Sequence, residues 1–319
     1  MGGIPLAVRG GGLDSDRRGW HQSTILPVSA RCYRVAWLLP LLVIASHGHF
    51  FEMIMVATST DPSEPALRAL RFARFDPVFR GAPRVKNAIG RAEVHVWAYL
   101  IDEPDSIVEA WSNFLSRDEK LRADRFVHSA DRGRWIVAHG ALRHVLARYC
   151  GDDPGALAFA CGESGKPFIA RAGGLREPIT FNLAHSRGRA LLAVANDRAI
   201  GVDLETNRDD FDPLPLARQF FFRDELTAIL EAPVEFRRDA FFRHWVAKES
   251  VLKAEGVGLS FPLDSFCVTF GSETSGARVQ SRDPARLASQ WFVRMLPMEA
   301  GWHGAVASSG EDWKLRFAT

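Results

Sequence analysis

The chain has 319 residues, 47% of them hydrophobic and 24% charged, with a formal net charge of +2 at pH 7. These values describe an ordinary globular protein with room for one large or two small domains, and they offer no electrostatic case for a nucleic-acid partner. Charge is unevenly spread: Met1–Ala92 carries 12 Lys/Arg against 6 Asp/Glu, so a basic head precedes a mildly acidic body. Cys32, Cys150, Cys161 and Cys267 show no CxxC spacing, which leaves zinc and a disulfide framework poorly supported and reduced thiols the default.

In the head, "VAWLLPLLVIA" (Val35–Ala45) is too short for a bilayer span, which takes roughly 20 residues, and Pro40 interrupts it. With Arg31 and Arg34 before it, the run resembles a signal-peptide h-region. The favoured reading is instead a mis-called upstream start, with Met53 or Met55 nearer the true one, and a poorly structured extension is the third. Residues 56–92 are basic and broken by prolines and read as a linker or loosely packed segment. The expected organisation is an extension over 1–92, a first half over 93–198 and a second half over 199–319.

Regular structure begins at "EVHVWAYLI" (Glu93–Ile101), a strand with Val94, Val96 and Ala98 on one face. A short helix follows with a capping-box pattern, Ser116 and Glu119. A long helix starts near Ser129 and stops before Gly151, with Trp135, Ala138, Leu142, Val145 and Tyr149 on one stripe. The chain then repeats itself at a lag of roughly 106–112 positions. "VHVW" corresponds to "IGVD" (Ile200–Asp203), and "FLSRDEKL" to "FFFRDEL" (Phe220–Leu226). "WIVAHGALR" (Trp135–Arg143) lies over "WVAKESVLK" (Trp245–Lys253), and "AVAND" (Ala193–Asp197) over "AVASS" (Ala305–Ser309). The expected fold is α+β, with two similar halves forming an intramolecular pseudo-dimer and a ligand cleft between them.

The halves differ where chemistry is expected. Asp203 replaces Trp97, and in this register Glu249 replaces His139 and Lys248 replaces Ala138. "GVDLE" puts Asp203 and Glu205 on one face of a strand, where each raises the other's pKa unless a cation justifies the pair. On the following helix Phe242, Val246, Glu249 and Lys253 share a stripe that turns from apolar to charged, although Glu249 with Lys253 also reads as an ordinary i,i+4 salt bridge. Three carboxylates make an oxygen-only ligand set suited to Mg²⁺ or Mn²⁺, and Lys248 and Lys253 beside them would face phosphate oxygens. Further phosphate-binding candidates are Lys166 in "GESGKPF", His185 in "FNLAHSRGR" and Arg132 in "DRGRW". Each of these also fits a plain turn or surface position.

Together "GVDLE", "WVAKESVLKAEG", "GKPF" and "FNLAHS" closely resemble the 4′-phosphopantetheinyl transferases of the surfactin type, whose signature is G-[IV]-D-x-E followed by [FW]-x-x-K-E-x-x-x-K. The resemblance runs from about Glu93 to the C-terminus, and the duplication points to the long, pseudo-dimeric class. It implies transfer of 4′-phosphopantetheine from coenzyme A to a serine of an apo acyl or peptidyl carrier protein, releasing adenosine 3′,5′-bisphosphate. It further implies a cytoplasmic, monomeric enzyme with no nucleic acid or membrane partner. Asp203, Glu205 and Glu249 would hold Mg²⁺, with Glu249 also a candidate general base and Lys253 stabilising the transferring phosphate. Lys166 and His185 would meet the 3′-phosphate, and Lys248 the pyrophosphate. Ala184 stands where the family often has Ser, and the first 90 residues have no family counterpart. Two other readings keep the same residues: another Mg²⁺-dependent phosphotransferase or pyrophosphate hydrolase, and a non-catalytic coenzyme A-binding module.

Overall fold

Alternating apolar residues on the first strand set the architecture. In β1 (Glu93–Leu100) the side chains of Val94, Val96 and Ala98 enter one core, while Trp97 and Tyr99 enter another. The computed structural model describes residues 69–77, 89–170, 178–208, 212–258, 261–271, 276–282, 287 and 291–318. The head up to residue 68, with Val35–Ala45, Met53 and Met55, lies outside the described residues.

After β1 come α1 (Asp105–Ser112), α2 (Arg117–Ala123) and α3 (Ser129–Cys150), then the hairpin β2 (Ala158–Cys161) and β3 (Pro167–Ala170), and β4 (Ile179–Ser186) and β5 (Arg189–Asn196). The second half runs β6 (Ile200–Thr206), α4 (Leu214–Phe220), α5 (Arg223–Glu231), α6 (Arg237–Glu255), β7 (Phe266–Phe270), β8 (Ala277–Ser281), β9 (Trp291–Met295) and β10 (Trp302–Ser309), before β11 (Lys314–Ala318). One sheet has the order β11-β1-β5-β4 and the other β6-β10-β9-β8-β7. β1 pairs antiparallel with β5 as β6 does with β10, so the α+β pseudo-dimer expected from the repeat is present. The last strand departs from a clean division at 198/199, because β11 lies parallel to β1 in the first sheet. Helix α1 went unread in the sequence: it is short, starts after Pro104 without a side-chain cap, and is held by the fully buried Trp111.

Both long helices end on a left-handed glycine, Gly151 (φ 71°) and Gly256 (φ 84°). Counting back from those caps aligns the helices better than matching Trp135 to Trp245, which is five positions out of register. His139 and His244 then coincide, and each places Nδ1 on the carbonyl four residues earlier, at 2.9 and 2.8 Å. Arg143 coincides with Lys248, and each forms a buried ion pair with the acid of the preceding capping motif, Glu119 at 2.7 Å and Glu225 at 2.6 Å. Arg148, over the Trp97 ring, coincides with Lys253, on Asp203. Glu249 is therefore the counterpart of His144, not of His139. A Trp-to-Trp match misled because the helices differ in length at their N-termini, while chemistry and capping align them from the C-terminus.

The halves meet through a shared apolar layer of Val94, Val96, Leu191, Ile200, Val202 and Val306. Asn182 Oδ1 of β4 accepts from the Val202 amide of β6 at 2.8 Å across this junction. Residues 69–77 are not the loose linker expected. The Ala73 amide donates to Ala98 O at 3.0 Å, Leu100 N donates back to Ala73 O at 2.9 Å, and Phe75 stacks on Tyr99. Among the described residues Cys150 and Cys267 are thiols outside any disulfide. Among the described residues no helix is long and apolar enough to cross a membrane.

Candidate functional site

The site is built where β6 lies under α6. Even-numbered Ile200, Val202 and Leu204 face the junction core, which turns Gly201, Asp203 and Glu205 toward the helix. Gly201 is what permits the contact: a Cβ there would stand 2.0 Å from Ser250 O and 2.4 Å from Ala254 N of the α6 backbone. The close approach brings Lys253 Nζ to 2.5 Å from Asp203 Oδ1. Asp203 is buried, and its other oxygen, Oδ2, has no hydrogen-bond partner; neither does Glu249 Oε1.

Electrostatics bind these groups into one cluster. Burial, then the charges of Asp203 and Glu205, push the Glu249 carboxyl up to about 8, with Lys253 pulling it down. Burial and Asp203 likewise raise Glu205. For Lys253, burial favours the neutral amine, but Asp203, Glu249 and Glu205 outweigh it and the net shift is upward. The ammonium thus neutralises part of an otherwise repulsive acidic set.

The first half supplies the opposite wall from the end of β4. Ser186 Oγ donates to Glu205 Oε2 at 3.1 Å. His185 is held down to about 3 by burial and then by the nearby charges of His139, Lys253 and Arg134, so its ring is neutral at pH 7. Arg134 is oriented by two acids, Asp102 at 2.6 Å and Asp131 at 3.3 Å. An imidazole pressed by cations beside an arginine is a wall that favours an arriving anion.

Five of the sequence candidates therefore meet: Asp203, Glu205, Glu249, Lys253 and His185. Three do not. Lys248 is fully buried, and its Nζ is taken up by Glu225, at 2.6 and 2.8 Å, and by Phe266 O at 2.6 Å. It therefore has no path to a phosphate in the cleft. Lys166 turns inward, donating to Ile200 O at 2.8 Å and to Ala254 O at 2.7 Å, where it fastens the start of β6 to the end of α6. Arg132 is exposed and paired with Asp124 at 2.9 Å. Two positions along a helix is more than half a turn, so Arg132 points away from the side that Arg134 occupies. Arg134 was missed, although it sits four residues before Ala138 of the buried stripe. Ser186 and Gly201 were quoted in motifs without a role; their value lies in cross-element distances that no single segment encodes.

Oxygen donors in pairs, two of them buried and partnerless, fit a hard divalent cation. Among the described residues no three Asp, Glu, His or Cys side chains are already drawn into a metal cage, and Lys253 holds one Asp203 oxygen instead.

The geometry can be set beside known proteins. The model of the 4′-phosphopantetheinyl transferase superfamily matches residues 199–307, the stretch carrying the acidic cluster. The chain is 34% identical over 229 residues to 4′-phosphopantetheinyl transferase HetI of Nostoc sp., covering 70% of this chain and 91% of that protein. It is 28% identical over 222 residues to 4′-phosphopantetheinyl transferase Sfp of Bacillus subtilis, covering 68% of this chain and 93% of that protein. Likeness of that extent takes in both halves of the pseudo-dimer and both walls of the cleft, and the chain belongs to the 4′-phosphopantetheinyl transferase superfamily.

Proposed function

We propose that this chain moves 4′-phosphopantetheine from coenzyme A to a serine of an apo acyl or peptidyl carrier protein, with Mg²⁺ or Mn²⁺ as cofactor. The observation that carries the reading is the acidic set of Asp203, Glu205 and Glu249, with partnerless oxygens, facing the His185–Arg134 wall. One wall suits a cation and the other a phosphate, as a pyrophosphate substrate requires. A divalent cation held by the three carboxylates would supply positive charge against the pyrophosphate and its leaving group.

The chain's own residues do the rest. Lys253 offers its ammonium to charge developing on the transferring phosphate. Glu249, kept protonated at neutral pH by burial and its acidic neighbours, would serve as a base in its ionised form, which a cation held beside it would favour, and would then take the serine hydroxyl proton directly or through water. His185, neutral at pH 7, offers a ring N–H to an entering anionic group, and Arg134 holds that group by charge-assisted hydrogen bonds. The pseudo-dimer supplies both walls from one chain, which supports action as a monomer. Coenzyme A as donor supports a cytoplasmic setting.

Intact-protein mass spectrometry of an apo carrier after incubation with this chain, coenzyme A and Mg²⁺ tests the reading. One phosphopantetheine of added mass, lost with EDTA and in Glu249→Ala, is the expected result. Consumption of coenzyme A with no gain on acyl or peptidyl carriers would instead identify a hydrolase.

A further inference from the structure

Residues 69–77 touch both halves. On the second half, the Leu70 amide donates to Pro297 O at 2.6 Å. On the first, Ala73 joins the β1 backbone and Arg74 Nη1 reaches Glu103 Oε2 at 2.6 Å and Asp102 O at 3.4 Å. Between them Phe72 covers the Arg189 guanidinium, whose carbon lies 4.9 Å from the Phe72 ring and 4.2 Å from that of Trp302, while Arg189 pairs with Glu299 at 2.6 Å.

Two of these contacts, Arg74 on Asp102 and Phe72 on Arg189, border the turn that ends β4. Asp102, whose backbone Arg74 grips, uses its carboxylate on Arg134 at 2.6 Å. The same carboxylate packs so closely on the turn that a Cβ at Gly188, which has φ +80°, would lie 2.1 Å from Oδ2. Ile101 N donates to Gly188 O at 2.8 Å. Arg189, held by Phe72, directly follows Gly188. The turn Ser186–Arg187–Gly188 is thus fixed on one flank through Arg74 and on the other through Phe72, and it carries the His185 and Ser186 side chains into the site.

We propose that Phe72 and Arg74 are positioning residues for the anion-binding wall: the strap they form fixes the β4 turn, and with it the placement of His185, Ser186 and Arg134 opposite the acidic cluster. Neither side chain reaches the site itself. The consequence for activity rests on the coenzyme A reading above, whereas the consequence for the turn does not.

The test uses the full chain and the double variant Phe72→Ala/Arg74→Ala. Hydrogen–deuterium exchange in peptides spanning the β4 turn is expected to speed up roughly tenfold or more, with β6 and α6 unchanged. Coenzyme A affinity by calorimetry should weaken by roughly tenfold, with kcat at saturating coenzyme A within about twofold, since a misplaced binding wall acts on KM. Phe72→Tyr/Arg74→Lys, which keeps ring and charge, should restore most of both. Unchanged exchange at the turn overturns the proposal, and so does loss of protection throughout the fold, which would make the strap a general structural element. If the unaltered chain fails to bind coenzyme A, the functional reading falls, and the exchange measurement still decides the strap.

Discussion

Lys253 lies on Asp203 in the second half just where Arg148 lies over the Trp97 ring in the first. One scaffold position, a cation near the end of the long helix above the first strand, is filled twice. In the first half its partner is an aromatic face, and the neighbouring ring of His144 packs between Trp111 and Phe114. In the second half the partners are carboxylates. The duplication thus yields one aromatic copy and one acidic copy.

Removing the ammonium should leave Asp203, Glu205 and Glu249 repelling one another. Lys253→Ala is expected to lower kcat by roughly a hundredfold or more, as loss of a preorganised charge does. It should also lower the thermal midpoint of the metal-free protein while leaving a larger stabilisation by Mg²⁺ than the unaltered chain shows. Differential scanning fluorimetry with and without Mg²⁺ reads both effects. A midpoint that does not move would show that the ion pair does not hold the cluster.

Glu249 makes the metal-free protein pH-sensitive in a definite direction. Its folded value, about 8, stands above the ordinary 4.5, so the folded state keeps a proton that the unfolded chain releases between those values. This contribution to stability is complete at low pH and is lost as pH rises through about 8. Because the cation competes with that proton, the Mg²⁺-induced rise in midpoint should grow from pH 6 to pH 8.5. Glu249→Gln should raise the metal-free midpoint at pH 8.5 and shrink the Mg²⁺ effect. A Mg²⁺ effect that is flat with pH would contradict this account.

Gly201→Ala tests the close packing of β6 on α6. The added methyl meets backbone atoms of Ser250 and Ala254, which cannot swing aside as a side chain would. A loss of about 3 kcal/mol is expected from overpacking alone, together with most of the activity as Lys253 and Glu249 shift. Urea denaturation with a parallel transfer assay measures it. A variant of unchanged stability and rate would mean the helix has slack at this contact.

Lys248 is expected to act through folding, not substrate. Lys248→Met leaves Glu225 buried without its partner and should cost about 3–5 kcal/mol, whereas Lys248→Met/Glu225→Leu should recover much of the stability and the coenzyme A affinity. A double variant that folds well but binds coenzyme A weakly would instead restore Lys248 to the site.

The two arginines of "DRGRW" should separate cleanly. Arg134→Ala is expected to raise KM for coenzyme A by roughly 10–100-fold, the scale of a charge-assisted contact. Arg132→Ala removes only an exposed pair with Asp124 and should stay within about twofold. Steady-state kinetics with a fixed carrier protein distinguishes them, and equal effects would count against the assignment.

The sequence by itself determined the local elements and the acidic chemistry. Alternation placed β1, the Ser116 capping box and Gly151 bounded α2 and α3, and the two-residue spacing of Asp203 and Glu205 put both carboxylates on one face, because each of these depends on neighbours a few bonds away. The repeat carried the pseudo-dimer for the same reason. Only the tertiary structure decided which basic residues face the cleft. Lys166, Lys248 and Arg132 sit in motifs as promising as that of His185, yet Ile200 O and Ala254 O, Glu225, and Asp124 claim them, partners between 8 and 88 positions away. A lysine's long stem can reach either solvent or an interior acid, and the choice is made by desolvation and pairing across elements, which adjacency in the chain does not encode.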